Sequence, residues 1–162
     1  MILIMLTGAL LGYVMSDRLK MQTEFFEELS CFAVSLKIKI RFSSDTLAQL
    51  IGSSGSFVRI SPLLEVSLQE LKKGESFHKA WQTASEKAAR LYYLGEDDKR
   101  MLIGFGDGLG VSDTEGQMSH IELYTHLIEE RLEKSQKETE RKSKVYRLLG
   151  ILGGMAAAVL AA

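Results

Sequence analysis

SDTEGQMSHIELYTHLIEERLEKSQKETERKSKVYRLLGILGGMAAAVLAA, residues 112–162, is the stretch whose reading decides the fold. It opens with Ser112-Asp113-Thr114-Glu115, the S-x-x-E spacing in which a hydroxyl and a carboxylate satisfy each other's backbone donors at a helix start. No breaker follows. From about Gln117 onward the chain reads as one helix of about 45 residues, about 68 Å long at 1.5 Å per residue. Its segment from Glu129 to Arg147 is densely charged. Glu130/Lys134, Glu133/Lys137, Glu138/Lys142 and Glu140/Lys144 stand at i,i+4 in the favourable order, each contributing a few tenths of a kcal/mol to a solvated helix. The end of the stretch, Leu148–Ala162, is apolar.

The beginning of the chain mirrors that end. Met1–Met15 is apolar, and basic residues border both segments only on the inner side: Arg18 and Lys20 after the first, Arg141, Lys142, Lys144 and Arg147 before the second. Two membrane helices, 1–16 and 148–162, holding a cytoplasmic domain 17–147 between them, follow from the positive-inside tendency. The charged helix 113–147 then lies next to the membrane. Fourteen or fifteen helical residues cover about 22 Å of a hydrocarbon core about 30 Å thick, so snorkelling of Arg18, Lys20 and Arg147, local thinning or protein neighbours must make up the difference. A secretory signal would carry a basic start and a small-x-small cleavage site, and neither stands at Met1–Ser16. Gly8-x-x-x-Gly12 and Gly150-x-x-x-Gly154 are small-residue spacings that let helices approach closely in lipid. The spans are therefore expected to pair, with each other or across subunits of a homo-oligomer.

Between the ends, the single proline leaves long segments unbroken, and apolar residues recur every three or four positions. Phe25, Leu29, Phe32, Leu36 and Ile40 form one helical stripe continuing out of the first anchor. Lys37–Phe42 alternates with period two, yet no other segment offers itself as a partner strand, so helix is the expectation there too. Ser43 or Ser44 is expected to cap a short helix through Leu50 or Ile51, followed by a flexible turn at Gly52–Ser56. Ser61-Pro62 starts a helix that stops near Lys72-Lys73-Gly74. Another begins near Ser76 and presents Phe77, Ala80, Trp81, Ala84, Ala88 and Leu91, with Trp81 as core anchor. Gly95-Glu96-Asp97-Asp98 opens one bearing Met101, Leu102 and Phe105, its carboxylates favouring the helix dipole. The fold class is thus all-α: an antiparallel helical bundle flanked by transmembrane helices, the last helix continuous with the second span.

Little in the chain points to catalysis. A net charge of −1 gives no basic field for nucleic acid. Cys31 is the only cysteine, which excludes an intramolecular disulfide, and among Leu29, Phe32 and Ala33 it reads as a small buried thiol. His78, His120 and His126 lack ligand spacing and read as surface or packing residues. Gly104-Phe105-Gly106-Asp107-Gly108-Leu109-Gly110 has neither the P-loop nor the dinucleotide pattern. It reads instead as a hinge or tight interhelical turn, in which glycine supplies positive φ and close backbone approach. No nucleophile–base pair, metal set or cofactor site appears, so neither an enzyme nor a cofactor is expected.

The run Gly108-Leu109-Gly110-Val111-Ser112-Asp113-Thr114-Glu115-Gly116-Gln117 resembles the stage III sporulation protein AB family of endospore-forming bacteria. The resemblance extends through Ala80-Trp81, Phe105-Gly106, Lys144-Val145-Tyr146, Leu148–Gly154 and the two-anchor layout, so it covers nearly the whole chain. It implies a platform protein of the mother-cell membrane, in a secretion-like complex assembled across the two membranes around the forespore. It further implies a soluble domain similar to the inner-membrane platform proteins of type II secretion and type IV pilus systems. The partners implied are a secretion-type ATPase, other channel components of the complex and the lipid bilayer. Under this reading Gly108, Leu109, Gly110, Ser112, Asp113, Glu115 and Gln117 are candidate partner contacts. A passive membrane adaptor or coiled-coil scaffold, without motor contact, is the alternative.

Overall fold

Phe25, Phe26, Leu29, Phe32, Ala33 and Leu36 are all buried at helical spacing on one face of a single long helix, and the rest of the molecule is assembled on that face. In the computed structural model the backbone is described for residues 2–43 and 45–161, and the side chains for residues 17–43, 45–142 and 145. Six helices follow in order: α1 Ile2–Phe42, α2 Leu47–Gly52, α3 Ser61–Lys72, α4 Phe77–Leu91, α5 Glu96–Asp107 and α6 Thr114–Ala161. No strand occurs among the described residues. Lys37–Phe42 is helical, as expected, because it finishes α1 with its hydrogen bonds made internally.

The antiparallel course of α1 and α6 is read from their contacts. Thr23 Oγ1 lies 2.7 Å from Ser135 Oγ and 3.2 Å from Thr139 Oγ1, while Lys37 Nζ lies 2.9 Å from a Glu122 carboxylate oxygen. Rising numbers on α1 thus meet falling numbers on α6. Both helices run unbroken from the bundle to the chain ends. Among the described residues no helix is long and apolar enough to cross a membrane. The two candidate spans, with Gly8, Gly12, Gly150 and Gly154, lie outside the residues whose side-chain surroundings are described.

Two helix starts and one helix face correct the sequence reading. Thr46 caps α2, not Ser43 or Ser44: its hydroxyl accepts from Gln49 N and the Gln49 side chain accepts from Thr46 N. That reciprocal pair satisfies two orphan donors, which a lone serine upstream does not. Ser61 is already helical in α3, and the preceding Ile60 makes no side-chain cap. A carboxylate from α1 replaces it, because Glu28 Oε2 accepts from Arg59 N at 2.6 Å and Ile60 N at 3.1 Å. Cys31 is exposed, not buried. Leu29 and Phe32 take the core face, and at about 100° per residue position 31 is turned away from it. Ser76 caps α4 as expected.

Candidate functional site: a glycine corner and its capped turn

α5 ends where three aromatic or imidazole side chains are laid directly on its backbone. Glycine is required at each place. A Cβ at Gly106 would sit 2.1 Å from Trp81 Cδ1, one at Gly104 2.2 Å from the Tyr124 hydroxyl, and one at Gly108 2.4 Å from the His120 ring. The alternating glycines are therefore a flattened helix surface onto which α4 and α6 are pressed. Gly110 differs: its φ of +76° is the left-handed conformation that turns the chain from α5 into α6. Gly104 and Gly106 thus lie within α5 and not in the expected turn, because close packing of Trp81 and Tyr124 requires glycine inside the helix; the positive φ belongs to Gly110.

The same side chains complete the hydrogen bonding of α5's last turns. Trp81 Nε1 donates to Leu102 O at 2.7 Å, and His120 Nε2 reaches Gly104 O at 3.1 Å and Phe105 O at 3.0 Å. Since both partners of His120 are carbonyls, its Nε2 carries the proton. Around this seam Trp81 packs on Phe105 at 5.7 Å, Phe77 at 5.9 Å and Phe32 at 6.4 Å between centroids. Trp81 is 1% exposed, the core anchor expected of it.

The turn that follows is closed by Asp113 and Gln117. Asp113 Oδ1 accepts from Gly116 N at 2.9 Å, which makes Asp113 the cap of α6. The capping box expected between Ser112 and Glu115 does not form. The helix starts one residue later, and the position that would return the hydrogen bond is Gly116, which has no side chain. Gln117 closes the loop instead: its Oε1 accepts from Gly110 N at 3.0 Å and its Nε2 donates to Ser112 O at 2.9 Å. A Cβ at Gly116 would come within 2.7 Å of Ser112 Oγ. Of the candidate contact residues, Leu109 is buried and Gly108 and Gln117 are half-buried, whereas Gly110, Ser112, Asp113 and Glu115 are exposed. Val111 stands 78% exposed at the apex, and Phe42, at the far end of α1, is 79% exposed.

Sequence reasoning missed the ion pair that locks α5 to α6. Arg131 Nε donates to Asp98 Oδ1 at 2.7 Å and Nη2 to Oδ2 at 3.1 Å, with the guanidinium 4.9 Å from the centre of the Phe26 ring. Asp98 is 8% exposed and Arg131 Nη1 is buried without a partner, so the pair is held nearly dry. Charge spacing within α5 alone points Asp98 at the helix dipole; nothing local announces an arginine more than thirty residues away. Burial raises the pKa of the Tyr92 hydroxyl, which donates to Arg59 O. Of the charged pairs expected on α6, Glu133–Lys137 closes, and that hydrogen bond lowers the Glu133 pKa, while Lys144 of the Glu140/Lys144 pair lies outside the residues whose side chains are described. His78 lies 2.7 Å from Asp107 and His126 3.6 Å from Glu129, both at the surface. Among the described residues no group of three His, Cys, Asp or Glu side chains is placed to hold a metal ion.

Fold and site together define a helical bundle carried on two long antiparallel helices, its most closely fitted corner built for rigidity. The chain belongs to the stage III sporulation protein AB family, whose family model matches residues 1–161. A solved structure described as stage III sporulation protein AB superposes with a TM-score of 0.65 at 22% sequence identity, covering 72% of this chain and 94% of that one. At that identity the likeness shows the fold. No curated protein sequence matches the chain. The family makes this a sporulation protein and a member of a multi-protein sporulation complex.

Proposed function

We propose that the chain is a non-enzymatic membrane platform of a transenvelope complex between mother cell and forespore, anchored by residues 1–16 and 148–162. Its bundle faces the mother-cell cytoplasm and receives the complex's secretion-type ATPase, with other channel components as neighbours. The observation that carries this reading is the antiparallel α1–α6 pair, which runs without a break from the bundle toward the apolar ends of the chain. At the opposite end the apolar side chains of Phe42 and Val111 are exposed, and Gln117 closes the turn that carries Val111. A rigid, partly apolar tip far from the membrane suits a docking partner.

The full-length chain in membranes is expected to retain the ATPase on affinity capture, and Val111→Asp with Phe42→Asp is expected to abolish retention while leaving the helical content unchanged. Retention undiminished in that variant removes the tip as the docking face; no retention by the wild-type chain favours the passive adaptor. Cysteines introduced at exposed bundle positions are expected to react only with reagent supplied from the cytoplasmic side. Labelling from the other side overturns the topology.

A further inference from the structure

We infer that the turn between α4 and α5 is seated in the headgroup layer of the bilayer, with Tyr93 as the residue that holds it there. The inference rests on the two-anchor reading, because the span 1–16 sets where the membrane surface lies. α4 descends along α1 toward that span: Trp81 packs on Phe32 at 6.4 Å, Tyr92 on Phe25 at 4.7 Å, and the Tyr93 ring centre lies 4.0 Å from the guanidinium carbon of Arg18. Gln22 fixes the turn, its Nε2 donating to Tyr92 O at 3.0 Å and to Tyr93 O at 2.8 Å. Arg18 and Gln22 stand two and six residues beyond the span, about 3 and 9 Å at helical rise, and side chains on a helix lean toward its N-terminus, here toward the membrane. The headgroup layer is about 5–7 Å deep on each side. The Tyr93 ring, laid on Arg18, therefore reaches into it.

Tyrosine is a strained choice at this position. α4 ends in a Schellman motif, Leu94 N bonding to Ala89 O at 2.9 Å and Tyr93 N to Arg90 O at 3.4 Å, which puts Tyr93 in the left-handed conformation at φ +53°. α3 ends in the same motif, with Glu75 N on Glu70 O and Gly74 N on Leu71 O, and there the left-handed residue is a glycine, φ +90°. Glycine avoids the Cβ crowding that a tyrosine suffers in that conformation. Within the chain the ring gains a cation–π contact between exposed groups, which is weak in water. At a membrane interface the same ring is favoured, because its body prefers the hydrocarbon edge and its hydroxyl the water. Tyr93 is 54% exposed, and Leu91 in the last turn of α4 is 52% exposed beside it. The charges that follow pair among themselves, Lys99 with Glu96 at 2.6 Å and Arg100 with Asp97, so they neither demand nor repel a charged partner. Lipid is the occupant chosen because a ring held this close to the end of the span leaves no depth for a protein between it and the bilayer.

The chain has one tryptophan, Trp81, buried in the core, so a tryptophan added elsewhere reports its own surroundings over a constant background. Full-length Tyr93→Trp is placed in vesicles of phosphatidylethanolamine and phosphatidylglycerol that include a phospholipid brominated near the headgroup end of its acyl chains. Its emission is expected to be quenched severalfold more than that of Val111→Trp, which stands at the far end of the bundle. Leu91→Trp is expected to be quenched as well, and adding Tyr93→Asn is expected to cut that quenching severalfold with helical content unchanged, since asparagine accepts the left-handed conformation. Equal quenching at positions 93 and 111 overturns the inference, as does quenching at 91 that is indifferent to Tyr93→Asn. Loss of helical content in Tyr93→Asn shows a tyrosine that serves the bundle alone and overturns it too. Absence of quenching at 93 or at 91, in chains that resist alkaline extraction from the membrane, overturns the inference while the anchors stand. Chains released by alkali overturn the anchor reading and this one with it.

Discussion

The corner where α4, α5 and α6 meet and the stem where α1 runs beside the charged half of α6 are held in opposite ways. At the corner, Trp81, His120 and Tyr124 lie so close to α5 that three glycines are obligatory. The free energy there comes from shape and burial. Along the stem, Ser135 is the buried residue beyond Ile128 among the described side chains of α6, and its partner is a threonine hydroxyl, flanked by solvated charges. One region tolerates no added methyl; the other is a thin polar seam between two helices that continue elsewhere. The difference teaches that α6 changes character along its length: aromatic packing fixes its first turns, and hydroxyls at Ser135 and Thr139 meet α1 further on.

Thermal or urea unfolding of variants breaks or sharpens that contrast. Trp81→Ala removes the largest buried side chain of the corner and is expected to cost about 3–5 kcal/mol. Asp98→Ala strands Arg131 in a nearly dry site and is expected to cost about 3 kcal/mol; Asp98→Leu with Arg131→Met is expected to recover most of it, since a well-packed apolar pair replaces a buried ion pair at little loss. Gly106→Ala, one added methyl facing the Trp81 ring, is expected to cost about 1–3 kcal/mol through overpacking. In the stem, Thr23→Val with Ser135→Ala exchanges a hydroxyl pair for apolar groups and is expected to change stability by less than about 1 kcal/mol. A stem loss equal to that of Gly106→Ala would erase the contrast.

The smallest effect belongs to Lys37–Glu122, the exposed tie between the helices. Hydrogen bonding by Lys37 lowers the Glu122 pKa. A carboxylate with a depressed folded-state pKa contributes stability above its ordinary pKa, and that contribution is lost as the pH falls through the lowered value. An NMR titration of the Glu122 carboxyl is expected to show the downward shift, and Lys37→Met to abolish it. High salt is expected to reduce it, since the pair is solvated.

Period and punctuation were enough to read six helices, because a stripe such as Phe25-Leu29-Phe32-Leu36 admits only a helix, and Ser76, Pro62 and Gly110 mark ends by their own chemistry. Trp81 was legible as an anchor for the same local reason. The capping of α3 by Glu28 was not legible, nor was the Asp98–Arg131 pair, because each joins residues that only the packed bundle brings within reach. Cys31 shows the limit at short range: apolar neighbours in sequence say little about a helix face unless the 100° step is followed. Asp113 as the cap of α6, in place of a box between Ser112 and Glu115, depended on where the turn through Gly110 delivers the chain.

Sequence by itself determined that this protein is all-helical, which residues form its apolar face and to which family it belongs, since helical period and a specific turn motif are local properties of the chain. Tertiary structure alone decided why glycine recurs from 104 to 110, which carboxylates do structural work and which residues of α1 and α6 meet. Those follow from distances between helices far apart in sequence, and no local preference encodes such a distance.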